Sequence, residues 1–201
     1  MTQSHLNDIL ERIHGLQTQL EDEFDTLLKE KQKEFRYRLE KGEVLFEQGV
    51  SDLHLKYRTG VWEYLTSARV GTVLTAPVIY SVIFPLALLD LFVSMYQWIC
   101  FPVYGIPKVK RGDYIALDRD QLAYLNTIEK INCLYCGYGN GMIAYVREII
   151  ARTEQYWCPI KHARKVREQH ERSRKFADYG DAEHYRERLE ELRKALQQEL
   201  D

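Results

Sequence analysis

Residues 70–103 read VGTVLTAPVIYSVIFPLALLDLFVSMYQWICFPV, and Asp90 is the single charged residue among them. The whole chain is 29% charged and has a mean hydropathy of -0.42, so this stretch differs sharply from the rest. An apolar run of about 20 residues is long enough to cross a bilayer as a helix. The sequence therefore predicts a membrane-embedded segment at 70–103 in a chain whose other parts face water.

Three prolines, Pro77, Pro85 and Pro102, divide this run and leave its path open. Proline inside a helix removes a backbone hydrogen bond and bends or breaks the helix. Two arms bent at the central Pro85 would each be too short for about 30 Å of hydrocarbon, which predicts a re-entrant hairpin. Basic residues on both flanks agree with a hairpin. The alternatives are a single kinked span and, less favoured, the buried core of a soluble protein.

Asp90 is the intramembrane polar residue that this reading singles out. A carboxylate at the bilayer centre costs about 2.5–3.5 kcal/mol, so we expect Asp90 to face protein, water or a cation. A helix-packing contact with Tyr80, Ser94 or a basic neighbour is favoured over a proton or ion relay, because a lone acid makes no pathway. A transporter or ion-pathway accessory subunit using Asp90 remains one alternative function.

The rest of the chain predicts an all-α fold. An amphipathic or coiled-coil helix is expected over 1–50, because apolar residues such as Leu16, Leu20 and Leu27 recur at spacings of three and four. A bend is expected between Gly42 and Ser51. An interfacial helix follows at 51–69, then the membrane segment at 70–103, a cytoplasmic Cys/His segment at 104–163, and a basic tract with a C-terminal helix at 164–201.

Cysteine and histidine spacing within 104–163 predicts a metal centre. Cys133 and Cys136 form a Cys-x2-Cys pair before Gly137, and Cys158 and His162 form a Cys-x3-His pair. A short helix over 120–131, a knuckle at the first pair and a second helix over 141–157 would bring all four together. Three thiolates and one imidazole are a common structural zinc set, with iron or an iron–sulfur cluster as the alternative. A redox dithiol, free thiols and Cys100 in place of His162 also remain open.

The charge of the chain argues against nucleic-acid binding and favours a lipid partner. With 28 basic and 30 acidic residues, net charge is -2, which gives no reason to expect nucleic-acid binding. Basic clusters beside a membrane attract anionic lipid. The predicted lipid contacts are Lys108, Lys110, Arg111, Arg164, Lys165 and Arg167. No convincing catalytic set is present, so an enzyme is not favoured, and the N-terminus shows no cleavable signal peptide.

The stretch from Phe101 to Ala163, with FPVYGIPKV, NCLYCGYGNG and EQYWCPIKHA, resembles an uncharacterised family of bacterial membrane-associated proteins. That resemblance implies a bacterial origin and no particular activity. We therefore expect a membrane-anchored metal-binding scaffold or interaction protein at the cytoplasmic side of the bacterial inner membrane. Its N- and C-terminal helices would pair with each other, with a second copy or with a protein partner. A membrane-associated iron redox protein is the competing class.

Overall fold

The computed structural model describes residues 2–40, 43–47 and 49–199. The chain is mostly helical, as the all-α prediction requires, and it divides into two compact units. Residues 1–59 and 121–126 belong to the first unit, and residues 60–120 and 127–201 belong to the second. The candidate site lies in the second unit.

The first unit contains a long helix followed by a small hairpin. Helix α1 spans Thr2–Glu34, and strands β1 (Tyr37–Glu40) and β2 (Glu43–Phe46) pair in antiparallel fashion. The prediction of a helix over 1–50 is wrong from Phe35 onward, where Arg36 adopts a positive φ of 53° and the helix has ended. Gly42, where a bend was expected to start, lies outside the described residues. Helix α2 spans Val50–Leu55, and the ring of its His54 packs edge-on against Phe46 and Tyr124.

The apolar run forms one nearly continuous helical rod. After the short helix α3 (Val61–Ser67), helix α4 spans Val70–Ser81 and helix α5 spans Ile83–Tyr104. Val82 between them keeps right-handed helical angles, with φ -64° and ψ -17°. Pro85 lies in the first turn of α5, where a missing backbone N–H costs little, so the chain is interrupted without reversing. The re-entrant hairpin is therefore not the observed structure, and we call Val70–Tyr104 the apolar rod.

Helix α6 spans Thr127–Trp157 without a break. The predicted division into a helix before residue 131, a knuckle and a helix after residue 141 is wrong. Contacts between the rod and α6 advance in the same direction along both chains, from Tyr80–Asn132 through Asp90–Tyr138 to Tyr104–Tyr156. The rod and α6 therefore lie side by side and parallel. Their shared core includes Phe101, Met142 and Ile149.

Parallel helices require a connection that returns along their length, and residues 105–120, which we call the connector, provide it. Its residues meet α6 in reverse order, because Pro107 contacts Arg152 whereas Ala116 lies beside Gly137. The connector contains a 3₁₀ turn at Arg111–Asp113, and a second 3₁₀ turn, Arg119–Gln121, begins at its end. Gly137 and Gly141 give the connector room, because a Cβ on Gly141 would lie 2.5 Å from the Tyr114 carbonyl oxygen.

The C-terminal helix α7 spans Tyr185–Gln197, as predicted. Its apolar stripe is buried within its own unit, where Leu196 joins the core of the rod and α6. Gln155 of α6 donates to the Leu192 carbonyl at 3.0 Å, and Arg193 of α7 donates to the Tyr156 carbonyl at 2.7 Å. A 3₁₀ turn at Glu171–Lys175 precedes α7. The stripe of α7 is thus used internally and is not free for a partner.

Candidate functional site

Asp90 sits on the side of the rod that faces α6 and the connector, and it is only 9% exposed. Arg111 of the connector pairs with its carboxylate at 2.7 Å, the Tyr138 hydroxyl donates at 2.9 Å, and Ser94 donates at 3.1 Å. Burial raises the pKa of the Tyr138 phenol, and the bond to Asp90 raises it further, so the hydroxyl stays a donor. The expected packing contact with Ser94 and a basic neighbour is present, while Tyr80 bonds to Asn132 instead.

Gln97 is a second buried polar group of the rod, which the sequence reasoning missed. Its Oε1 accepts from the Val109 backbone N–H at 2.6 Å, and its Nε2 donates to the Val109 carbonyl and to the Tyr145 hydroxyl. The Gln97 amide therefore binds both the N–H and the C=O of Val109 and holds the connector against the rod. The signal was available, because Asp90, Ser94 and Gln97 recur at helical spacing and share one face.

Further polar contacts of the rod are also made with α6. Tyr135 of α6 donates to the Ile79 carbonyl at 2.9 Å, close to the interruption at Val82. Near the far end, the Tyr96 and Thr153 hydroxyls lie 3.0 Å apart. We call this side of the rod the polar seam; it comprises Tyr80, Asp90, Ser94, Tyr96 and Gln97. Ser94 donates to Asp90 of the rod itself, and the other four groups are paired with α6 or the connector, so the seam needs no water.

The opposite side of the rod is apolar and uncovered. Leu91 is 63% exposed and Trp98 is 70% exposed, although both side chains are large and apolar. None of that helix's most apolar window is buried within the structure. We call this side the apolar face; it comprises Val70, Leu74, Val78, Phe84, Leu88, Leu91, Phe92, Met95, Trp98, Ile99 and Val103. The rod is long and apolar enough to cross a membrane, by length and composition.

The structure does not bring the four predicted metal ligands together. Cys133 and Cys136 lie in the first half of α6, whereas Cys158 follows its last residue. Because a helix rises 1.5 Å per residue, Cys136 and Cys158 are separated by roughly 33 Å along the axis. Within the described ranges, no group of three or more His, Cys, Asp or Glu side chains is placed to hold an ion. The four predicted ligands therefore cannot bind one tetrahedral metal ion in this arrangement.

The individual ligands have ordinary surroundings. Cys136, Cys158 and His162 are exposed, and Cys133 is half-buried. Desolvation by nearby protein atoms raises the pKa of the Cys158 thiol, and the Glu154 carboxylate raises it further. That thiol is therefore a protonated, weakly nucleophilic group at neutral pH. Cys100 lies in α5, half-buried, near Tyr104 rather than near His162.

The predicted lipid-contacting residues fall into two groups, and all of them are exposed. Lys108, Lys110 and Arg111 lie on the connector, where the clamp of Gln97 on Val109 holds them beside the rod. Arg111 is also committed to Asp90, although half of its side chain remains exposed. Arg164, Lys165 and Arg167 lie in the irregular segment after α6.

A network of charged side chains locks the far end of α6 to the tail. Arg172 pairs with Glu148 at 2.7 Å and with Glu199 at 2.8 Å, and Arg152 also pairs with Glu148 at 2.9 Å. Burial raises the pKa of Glu148, but the hydrogen bonds from both arginines outweigh burial and hold it below its ordinary value. Because these four side chains pair with one another, we assign the network a structural role.

Comparison with known proteins adds no relative. No protein-family model, no curated protein and no solved structure matches the chain.

Proposed function

We propose that this protein is a membrane-associated scaffold, held at the bilayer by the apolar face of the rod. One observation carries the proposal: the apolar face is uncovered along the rod, while the polar groups of the seam are satisfied on the opposite side. Each large apolar side chain moved from water into hydrocarbon contributes roughly 1.5–3 kcal/mol. A soluble monomer rarely leaves so long an apolar surface in water.

Aromatic and basic residues support lipid as the occupant. Trp62 precedes the rod, Trp98 lies on its apolar face, and Trp157 ends the neighbouring α6; all three are exposed. Tryptophan is enriched at membrane–water interfaces because its ring is apolar and its N–H is polar. Lys108 and Lys110 add positive charge next to the rod, which suits anionic headgroups.

The scaffold role rests on α1. Since the stripe of α7 is buried, α1 is the terminal helix whose apolar residues remain available, with Leu16, Leu20, Phe24 and Leu27 exposed on one side. Its acidic stretch at 21–25 is followed by lysines at 29, 31 and 33. An antiparallel pairing of two copies would place acidic residues opposite basic ones. We therefore propose a second copy of this chain as the partner of α1.

The location proposed is the cytoplasmic side of a bacterial inner membrane. The cysteines of the described residues are all free thiols, as expected in a reducing compartment. Bacterial origin is drawn from the sequence resemblance alone. Proteomic detection of the protein in membrane fractions tests this location. The fractions are prepared from cells in which a protease either was or was not admitted to the periplasm before lysis.

The zinc and iron hypotheses are weakened by the continuous α6, because a shared ion would require that helix to open near Gly137. Elemental analysis and a visible spectrum of the purified protein and of Cys133→Ser decide the point. Stoichiometric metal in the parent protein that is lost in Cys133→Ser would support the metal hypothesis. An ion pathway through Asp90 is disfavoured because Arg111, Tyr138 and Ser94 occupy the carboxylate.

Flotation with vesicles tests the membrane proposal. The protein is mixed with vesicles of equimolar phosphatidylcholine and phosphatidylglycerol, and floated protein is compared with protein left in the dense fraction. Leu91→Glu on the apolar face should reduce flotation by tenfold or more. The matched control is Ile143→Glu on α6, because Ile143 is also about half exposed, at 53%, but lies off the rod. Equal flotation of both variants, or none by the parent protein, would overturn the proposal.

A further inference from the structure

We infer that the rod lies in the plane of the membrane, inserted into one leaflet, and does not cross it. This inference rests on the proposed membrane association and specifies its geometry. Three observations carry it: the parallel course of α6, the return path of the connector, and the burial of Asp90 and Gln97 on the side of α5 away from the exposed Leu88, Leu91 and Trp98.

Charged residues of α6 and the connector lie too close to the rod for it to cross the membrane. Because Tyr80 contacts Asn132, an upright span over residues 70–89 would carry the start of α6, with Glu129 and Lys130, into the hydrocarbon. A span over residues 84–103 would instead carry in Arg111 and Arg152, which bind Asp90 and the Pro107 carbonyl. About 20 residues are needed to cross, so each placement within the rod buries charges of α6 or the connector.

The irregular backbone of the connector also argues against a crossing rod. Residues 105–120 contain two glycines, one proline and 3₁₀ geometry limited to short turns, and many of their side chains are exposed. Lipid-exposed irregular backbone does not occur at hydrocarbon depth, because its N–H and C=O groups would lack partners. The connector runs beside α5, where Val109 meets Gln97 and Arg111 meets Asp90, so an upright α5 would immerse it.

An in-plane rod removes both conflicts. The apolar face would sink about 5–10 Å into the boundary between headgroups and acyl chains, as interfacial helices do. Leu88, Leu91, Phe92, Met95 and Trp98 recur at spacings of three and four, so they insert together to similar depth. The polar seam, the connector and α6 then lie toward the headgroups and water. At 35 residues, the rod would extend about 52 Å along the surface.

Protease access to the unmodified protein tests this orientation. Protein bound to sealed vesicles of equimolar phosphatidylcholine and phosphatidylglycerol is treated with external trypsin, and fragments are identified by mass spectrometry. An in-plane rod leaves Arg69 on one flank and Lys110 on the other flank on the same side, so both sites are cleaved completely. A crossing rod leaves a protected fraction that is cleaved only after the vesicles are opened, and that result would overturn the inference.

Depth measurements provide an independent readout. In a variant with Cys100, Cys133, Cys136 and Cys158 replaced by alanine, a fluorophore is attached to Leu74→Cys, Leu88→Cys or Ile99→Cys. Lipids carrying quenchers at shallow and deep acyl positions then report its depth. An in-plane rod gives three similar shallow depths, whereas a crossing rod gives one deep and two shallow positions. Failure to float would reject the membrane proposal itself, and a dimer without lipid quenching would identify a second copy as the occupant.

Discussion

Asp90 and Arg111 form the contact that joins the connector to the centre of the rod, and their exposures differ. The Asp90 side chain is 12% exposed and that of Arg111 is 50% exposed. Removing Arg111 therefore leaves a buried carboxylate, whereas removing Asp90 frees a guanidinium that water can reach. Buried groups that lose a partner cost about 1–3 kcal/mol.

We predict that Arg111→Ala lowers the free energy of unfolding more than Asp90→Asn does, because asparagine can still accept from Tyr138. Denaturant titration in one fixed detergent measures both. The double variant should be less destabilised than the sum of the two, since the residues share one interaction. Additive losses would show that the pair is not coupled.

Glu148 is a half-buried carboxylate that should make the stability of the fold depend on pH. Its pKa is held below the ordinary value of about 4.3 because, although burial raises it, the hydrogen bonds from Arg152 and Arg172 have the larger combined effect. A carboxylate with a lowered folded-state pKa stabilises the fold above its unfolded pKa, and this stabilisation is lost as pH falls through the folded-state value. The free energy of unfolding should therefore decrease from about pH 5 downward.

The variant Glu148→Gln should lose roughly 1–3 kcal/mol at pH 7 and should show a shallower decrease on acidification. Thermal unfolding at a series of pH values measures both effects. Glu187→Gln, at an exposed position of α7, is the control and should retain the full decrease. A parallel pH dependence in the parent protein and Glu148→Gln would exclude Glu148 as the source.

Among the elements, α6 and the connector depend on two glycines of α6 that look alike in sequence and differ in space. A Cβ on Gly141 would lie 2.5 Å from the Tyr114 carbonyl oxygen and 2.9 Å from the Ile115 Cα, and backbone cannot move aside cheaply. A Cβ on Gly139 would meet only the Leu86 side chain at 3.5 Å, which is ordinary contact. The two positions are therefore a matched pair.

Gly141→Ala should displace the connector, lower the melting temperature and speed proteolysis after Tyr114 by chymotrypsin. Gly139→Ala should be neutral or stabilise the protein by up to about 1 kcal/mol, because alanine favours helix over glycine. Limited proteolysis and thermal unfolding in the same detergent test this. Equal effects of the two substitutions would mean that the connector does not pack against α6 at Gly141.

Helical periodicity predicted α7 and the helical character of residues 70–103, because apolar spacing reports which residues can share a buried face. The path of the rod could not be predicted, since Pro85 breaks a helix in its interior but is tolerated in a first turn, and sequence does not say where that turn begins. Likewise, Cys133 and Cys136 have knuckle spacing, but they are equally compatible with one continuous helix, where they lie on adjacent turns.

The hairpin of β1 and β2 was missed although its signal is present. Tyr37 and Leu39 alternate with charged residues, and they pair with Phe46 and Val44 across the two strands. The strands are only four residues each, and they follow a 33-residue helix whose apolar spacing of three and four continues to Leu39. Gln97 shares a helix face with Asp90 and Ser94, but its role as the partner of the Val109 backbone appears only when the connector is in place.

For the whole molecule, self-association through α1 should be separable from membrane binding. Leu20→Glu places a charge in the exposed apolar stripe of α1 and should shift the protein toward monomer by tenfold or more in dissociation constant. Thr18→Glu adds the same charge on the opposite side of the helix and is the control. Sedimentation velocity in a mild detergent measures the oligomeric state. A monomeric parent protein would contradict the proposed pairing, and flotation should be unchanged in either variant.

The orientation of the whole molecule on the membrane determines which basic group meets the headgroups. Lys108 and Lys110 flank Val109, whose backbone is bound to Gln97, so these lysines are held close to the inserted rod. Each basic residue near an anionic surface contributes about 1 kcal/mol. Lys108→Gln with Lys110→Gln should weaken flotation with phosphatidylglycerol-containing vesicles by more than tenfold and barely alter it with pure phosphatidylcholine. The matched pair Arg164→Gln with Lys165→Gln, in the segment after α6, should cost less; a larger loss from that pair would mean that the tail, and not the connector, faces the lipid.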